Sequence, residues 1–257
     1  MKEVKYAIIV SSSDPAGMNI KQELEKLGQE VNIIDQVQIF AENLDKEIEA
    51  DFFIFASKHQ SADKRRTLTV HSIGNFHKAD YGGKQETLVA CSALFNKLMF
   101  QILNKKAKNL DYEVSLEVTH HGPFLEKPTV YIEIGSSEKE WNDKVAGKAI
   151  ADTIIETIKN FKQDKKIIPA IAIGGKHYCS SFNKIQLNSN YALGHIIPQY
   201  SLPVNKELLK QAIEKTIEKP KIAILDWKGM KSAERQEIIS LLNELPFEYI
   251  RTSNIEK

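Results

Sequence analysis

Asp51-Phe52-Phe53-Ile54-Phe55-Ala56 (DFFIFA, residues 51–56) decides the fold. An unbroken apolar run of this length reads as a strand buried on both faces, as strands are when helices cover both sides of a sheet. Working outward, Tyr6 to Val10 is a similar short run. It passes through three serines to Asp14-Pro15, an N-cap followed by the first position of a helix that runs to about Leu27 and stops at Gly28. Strands follow at Val31 to Ile34, Thr67 to His71, Tyr112 to Val118, Thr129 to Gly135 (TVYIEIG), Lys165 to Ile173 (KKIIPAIAI) and Ile222 to Leu225. Helices are predicted from Gln85 to about Leu103, with Leu88, Cys91, Leu94, Phe95, Leu98, Met99 and Ile102 at helical spacing, and from a Ser137/Glu140 capping box to about Phe161. Asn205 caps another helix to about Ile217, Ser232 caps the last, and Phe247 to Ile250 adds an edge strand. The alternation predicts an α/β fold with a largely parallel or mixed central sheet flanked by helices. One domain over residues 1–257 is expected, with a candidate C-terminal lobe from about residue 201.

The chain of 257 residues is 42% hydrophobic and 27% charged with a formal net charge of +1, so a globally basic nucleic-acid binder is excluded and contacts to phosphate must be local. Two cysteines, Cys91 and Cys179, form neither a CxxC pair nor a disulfide framework, which fits a reducing cytosol. No stretch approaches the length of a membrane helix and the opening run is too short for a signal peptide, so a cytoplasmic chain without membrane contact is expected.

Chemistry gathers where the strands end. His59 follows the strand ending at Ala56, His71 ends a shorter run, His120-His121 follow Val118, His177 follows Ile173, and His195 sits after Gly194. If these strands run parallel, the imidazoles share one rim, where open α/β sheets bind ligands. With Glu117 and Glu133 they form a donor set suited to zinc. Each acid has four readings: ligand, general base, partner to a histidine, or simply a strand-end acid facing water. Side chains alternate along a strand, so His120 and His121 are not interchangeable; either the chain turns there, or one binds metal while its neighbour serves the reaction. His77, in a polar loop, reads as a surface residue, Cys91 as core, and Asp226 as either a site residue or a turn cap. Lys64-Arg65-Arg66 is the best phosphate-contacting run, and Gly82-Gly83 and Gly174-Gly175 mark either tight turns or close backbone approach to a ligand.

The segments Phe55-Ala56-Ser57-Lys58-His59-Gln60-Ser61, Thr69-Val70-His71-Ser72-Ile73-Gly74-Asn75, Tyr81-Gly82-Gly83-Lys84 and Glu117-Val118-Thr119-His120-His121-Gly122-Pro123 go further. With Ile132 to Trp141, Ile173 to Tyr178, Gly194 to Pro198 and Asp226 to Gly229, they resemble, in order and over nearly the whole chain, the archaeal and plant type of D-aminoacyl-tRNA deacylase. The resemblance implies a monomeric zinc-dependent esterase with two metal ions per chain, acting on D-aminoacyl-tRNA to release D-amino acid and tRNA. It also implies a fold similar to phosphorylase and peptidyl-tRNA hydrolase. His59, His71, His120, His121, Glu133, His177 and His195 fall in matching motifs. On this reading His120, Glu117 and Glu133 serve catalysis, His59, His71, His121, His177 and His195 hold metal, and Lys64, Arg65, Arg66 and the two glycine pairs meet the substrate. Rejection of the L-substrate is then steric, by backbone at a glycine pair. Two rivals stay in view: a zinc amidohydrolase or carboxypeptidase for small acylated amino acids, and a non-catalytic tRNA- or nucleotide-binding protein.

Overall fold

The computed structural model describes residues 4–61 and 64–255. In chain order the elements are β1 (Tyr6–Ser11), α1 (Pro15–Lys26), β2 (Asn32–Ile34), β3 (Phe52–Gln60), β4 (Thr67–His71), β5 (Gly74–Asn75), β6 (Thr87–Leu88), α2 (Ala93–Lys106), β7 (Glu113–Leu116) and β8 (Thr129–Ser136). They continue with α3 (Glu138–Trp141), α4 (Lys144–Asn160), β9 (Ile168–Gly175), α5 (Ser180–Asn188), β10 (Tyr191–Pro198), α6 (Lys206–Glu214), β11 (Ile222–Leu225), α7 (Ser232–Glu244) and β12 (Glu248–Arg251). Six strands form one sheet in the order β2-β1-β3-β8-β4-β7, and four form a second in the order β10-β9-β11-β12. Every pairing in both sheets is parallel except β4 against β8. The mixed α/β class expected from the alternation is therefore what the chain adopts. The segment beyond residue 201 gives β11 and β12 to a sheet whose other strands, β9 and β10, precede it.

Period-two alternation explains how the large sheet is used. On one face, Ile54 and Ala56 of β3, Ile132 and Ile134 of β8, and Leu68 and Val70 of β4 join the main core with Ile20 and Leu24 of α1, Phe95 and Met99 of α2, and Ile150 and Ile154 of α4. Burying each of the larger of these side chains contributes roughly 1.5–3 kcal/mol. On the other face Phe53, Phe55 and Tyr131 pack together, the last two stacked at 4.8 Å. Further along the same face of β3 and β8 come Ser57 and Glu133, two residues on, and His59, two beyond Ser57, all buried.

Local boundaries differ from the sequence reading in identifiable ways. The Asp14 cap holds as expected, its carboxylate accepting from Gly17 N at 2.9 Å and from Lys58 N at 3.0 Å. The helix expected from Gln85 begins only at Ala93. Leu88 instead pairs with Gly74, and Ser92 caps Phe95 N at 3.0 Å while Glu218 reaches in to accept from Ala93 N at 2.9 Å. The helix expected to run unbroken to Phe161 divides after Trp141, because the Asp143 side chain accepts from Val145 N and starts α4 afresh. Ser137 also donates to the Glu140 carboxylate rather than capping a backbone amide. The polar stretch Ser180 to Asn188, which carries little apolar periodicity, is the helix α5.

The two sheets are joined by the chain just after β7. Glu117 N bonds Val70 O at 3.2 Å, Val118 N bonds His177 O at 3.2 Å, and Thr119 N bonds Ile196 O at 2.9 Å. Glu117 to Thr119 thus lie between β4 of one sheet and β9–β10 of the other.

Candidate active site

The histidines do converge, but not on a rim of parallel strand ends. Because β4 runs antiparallel to β8, its last residue His71 pairs with Tyr131, whereas His59 of parallel β3 pairs with Gly135. Glu133 lies midway, so both rings reach its Oε2, His59 Nδ1 at 3.5 Å and His71 Nε2 at 3.4 Å. The strand β3 also runs on to Gln60, which makes His59 a strand residue rather than a loop residue. The site therefore sits over the middle of β8, against the seam between the sheets.

From the seam come Glu117, His120 and His121. The alternation that would separate His120 from His121 does not apply, since β7 ends at Leu116 and His121 adopts φ +47°. Both rings face the same space, 4.4 Å apart, and each stands within 5 Å of the His71 ring. This turn is held by backbone contact, for a Cβ at Gly122 would lie 2.2 Å from Gly83 N and 2.4 Å from Gly82 C.

Three of the rings share one arrangement. His71 Nδ1 lies 3.1 Å from Ser72 O, His120 Nδ1 2.8 Å from Val118 O, and His121 Nδ1 2.6 Å from Gly122 O. A carbonyl only accepts, so each Nδ1 carries a proton and donates it, which leaves the Nε2 lone pair as the coordinating atom. One ligand atom from each of these three residues lies within 4.8 Å of the others, and a second such group joins His59, Glu117 and His177. A third, His71, Glu117 and Glu133, bridges the two.

Charge is the stronger sign. Glu117 is fully buried, its Oε1 3.1 Å from His59 Nδ1 and its Oε2 3.5 Å from His120 Nε2 and 3.4 Å from His177 Nε2. Among the described residues neither oxygen has a hydrogen-bond partner, nor does His71 Nε2. Leaving a buried carboxylate uncompensated costs several kcal/mol, so this pocket is built for positive charge. Burial lowers His177, burial with neighbouring rings drives His120 well below its ordinary value, and burial with His71 brings His121 to about 3. These rings are neutral at neutral pH and able to coordinate. Glu133 is also buried, yet His59 and His71 hold its carboxyl well below the usual range, and Ser57 donates to it at 2.5 Å. Burial opposes protonation of His71, but the Glu133 and Glu117 carboxylates outweigh it and raise its pKa. The donor set of imidazoles and carboxylates fits zinc.

The remaining expectations divide. His195 lies inside β10, fully buried, with Nδ1 3.2 Å from the Thr119 hydroxyl, and belongs to none of the three ligand groups found among the described residues. It braces the seam behind His120. Lys64 lines the cleft. Arg65 lies over the Tyr178 ring and 3.5 Å from Glu113. Arg66 is committed to protein carboxylates, bonding Asp111 at 2.6 Å and Asp143 at 3.3 Å, so it does not serve as a free phosphate contact. The glycine pairs face their own chain: a Cβ at Gly82 would meet Ile39 O, at Gly83 Asn75 Nδ2, at Gly174 Met230 and at Gly175 Phe182. They are packed against their own chain, and none of the four is among the residues that line the cleft. Asp226 caps its turn through Gly229 N at 3.2 Å and takes a bond from Ser181. Both cysteines are buried, and burial pushes their thiols up, Cys91 to about 12.

Two supporting residues without a role in the sequence analysis sit two positions from those with one. Ser57 precedes His59 on the same strand face, and Tyr131 precedes Glu133 and meets the rings of His71 and His121. Tyr178 holds His59 Nε2 at 2.9 Å, and Trp141 donates to His59 O at 3.0 Å. The whole opens into a cleft of about 1210 Å³.

The family model described as D-aminoacyl-tRNA deacylase matches residues 46–250. Among similar proteins, the D-aminoacyl-tRNA deacylase of Thermococcus kodakarensis is 37% identical, covering 95% of this chain and 98% of that one. That of Pyrococcus abyssi is 38% identical with the same coverage, and that of Methanocaldococcus jannaschii is 35% identical, covering 96% of this chain and 100% of its own. Among solved structures, the crystal structure of a conserved protein of unknown function, AF0625, superposes with a TM-score of 0.92 at 27% identity, covering 99% of this chain and 98% of that one.

Proposed function

Because the chain belongs to the D-aminoacyl-tRNA deacylase family, we propose that its cleft hydrolyses the ester between a D-amino acid and tRNA, releasing both, with water activated by zinc. The observation that carries the metal part of this reading is the buried Glu117 carboxylate, unsatisfied by hydrogen bonds and ringed by three imidazoles. His71, His120 and His121 would hold one ion, and His59, Glu117 and His177 a second. When bound, zinc supplies Lewis-acid chemistry: it lowers the pKa of water towards ~7 and polarises an ester carbonyl.

The protein's own groups do the rest. The Nδ1 bonds to Ser72 O, Val118 O and Gly122 O fix three rings with Nε2 towards the reacting space, so no reorganisation is needed there. Glu133, between His59 and His71 and with its other oxygen held by Ser57, is the carboxylate placed to take up the proton released by the attacking water. The His59 ring is fixed through Nε2 by the Tyr178 hydroxyl, which leaves Nδ1 facing both acids. Selection of the D-substrate rests with the cleft walls rather than with the glycine pairs. The reading extends to a monomer in the cytoplasm, which size-exclusion and fractionation check. No helix among the described residues is long and apolar enough to cross a membrane.

The test is hydrolysis of D-tyrosyl-tRNA and L-tyrosyl-tRNA with and without a chelator, alongside metal analysis of the purified chain. Turnover of the D-ester alone, abolished by chelation and restored by zinc at two ions per chain, is expected. Equal rates on both esters, or full activity in metal-free protein, would sink the reading.

A further inference from the structure

The mouth of the cleft has a feature that the hydrolytic centre does not use. Tyr81 and Tyr200 both line it, and they are 69% and 60% exposed, which is unusual for two large aromatic rings beside a cavity. They stand on separate segments that are tied together: His77 Nε2 lies 3.1 Å from Ser201 O, joining the loop after β5 to the turn after β10. Tyr81 O in turn accepts from Gly122 N at 3.0 Å, which anchors the loop directly to the segment carrying His121. The rings are thus presented on a framework continuous with the reacting centre.

The charges at this mouth match the rings. Asp14 and Glu133, which also line the cleft, are buried and bonded to the protein. Among the described lining residues the remaining charges are Lys64, Lys78 and Glu138, all exposed, and the half-buried Lys58 over the Trp141 ring, so this part of the rim is cationic on balance although the chain as a whole is near neutral. Exposed aromatic faces interleaved with lysine are the means by which proteins hold unpaired nucleotides: the rings stack on bases and the ammonium groups meet phosphates.

We propose that Tyr81 and Tyr200, with Lys78, form the subsite for the unpaired nucleotides at the 3′ end of the tRNA. It rests on the hydrolytic reading above and adds where the nucleic acid lies. Both tyrosines are positioning residues: they seat the strand so that its terminal ester reaches the histidine cluster.

The experiment compares Tyr200→Ala, Tyr200→Phe and Tyr81→Ala with the parent chain, measuring kcat and KM on D-tyrosyl-tRNA and, separately, binding of a labelled CCA trinucleotide. Each alanine variant raises KM about tenfold, since stacking of one base on one ring is worth about that factor, while kcat stays within about twofold. Tyr200→Phe stays near the parent, because stacking needs the ring and not its hydroxyl. Trinucleotide affinity falls in parallel with the KM change. A fall in kcat at constant KM, a phenylalanine variant as weak as the alanine one, or trinucleotide binding unaffected by either alanine would overturn the proposal. If the parent chain does not cleave the ester, the hydrolytic reading fails, and the trinucleotide measurement still decides the subsite.

Discussion

Glu117 and Glu133 are both buried carboxylates beside histidines, yet their surroundings assign them different work. Glu117 lacks hydrogen bonds on both oxygens, whereas Glu133 accepts from Ser57 and is held ionised by His59 and His71. Glu117→Gln is therefore expected to lose bound metal and, with it, activity. Glu133→Gln should keep its metal and lose roughly 10²–10⁴ in kcat, the usual range for a proton-transfer group. Metal analysis beside kinetics separates the two, and retained metal in Glu117→Gln would contradict the assignment. His195 gives a stability prediction instead. Burial brings its pKa to about 3 from an ordinary 6.5, so between those values the unfolded chain binds a proton that the folded chain does not. Stability contributed by this neutral ring is full above pH 6.5 and declines as pH falls towards 3, by as much as a few kcal/mol. His195→Asn, which keeps an amide near the Thr119 hydroxyl, should show a shallower loss of unfolding free energy over that window in urea titrations. Parallel curves for variant and parent would refute it. In sequence, His195 looked no different from the other strand histidines, because residue type alone does not say which face of a strand meets the cleft.

At the level of elements, the strands were the most legible part of the chain. Runs such as Phe52 to Ala56 and Thr129 to Gly135 contain so little polarity that only a doubly covered strand accommodates them. Helix boundaries were less so. Leu88 and Cys91 fall at helical spacing from Leu94 and Phe95, yet Leu88 belongs to a strand pair and Cys91 bridges to Thr216. Those contacts are made with distant segments and leave no local mark. Conversely α5 shows few apolar positions, since only one side of it is covered. The sense of β4 was equally hidden: its direction follows from pairing with β8, and that choice moved the site from a strand-end rim to the middle of a sheet face. The crossing of Gly82-Gly83 over Gly122 carries the element-scale prediction. Gly122→Ala places a methyl group against the backbone of both glycines and should cost at least about 1–3 kcal/mol as an overpacked site. His121 bonds Gly122 O, so the displaced turn should lower kcat further than the fall in melting temperature suggests. A variant with normal kcat and lowered stability would show that the crossing serves packing alone.

Across the whole molecule, the candidate ligand residues span from His59 to His177 and come from one sheet, the seam and the segment just after β9, so the site forms only when the sheets are joined. The seam residues Val118 and Thr119 bond backbone groups near His177 and in β10, and their amides should exchange with solvent only by global unfolding. Native-state hydrogen exchange tests this. Release of these two amides while β3 and β8 stay protected would show that the sheets part independently. The family resemblance was readable because its motifs carry the imidazoles and acids themselves; the seam that unites them was not, being made of backbone bonds. One arrangement bears on heredity. In β3 and β8 the aliphatic row Ile54, Ala56, Ile132 and Ile134 alternates with the row Ser57, His59 and Glu133 on the opposite face. Gain or loss of a single codon within either strand would exchange the rows, sending the ionisable side chains beneath the helices and the aliphatic ones into the cleft. The same mutation in the loop around Lys78 would leave both rows in place. Descendants of this chain can therefore vary in length at the mouth of the cleft, while the two strands beneath it are fixed in length by catalysis and by folding at once.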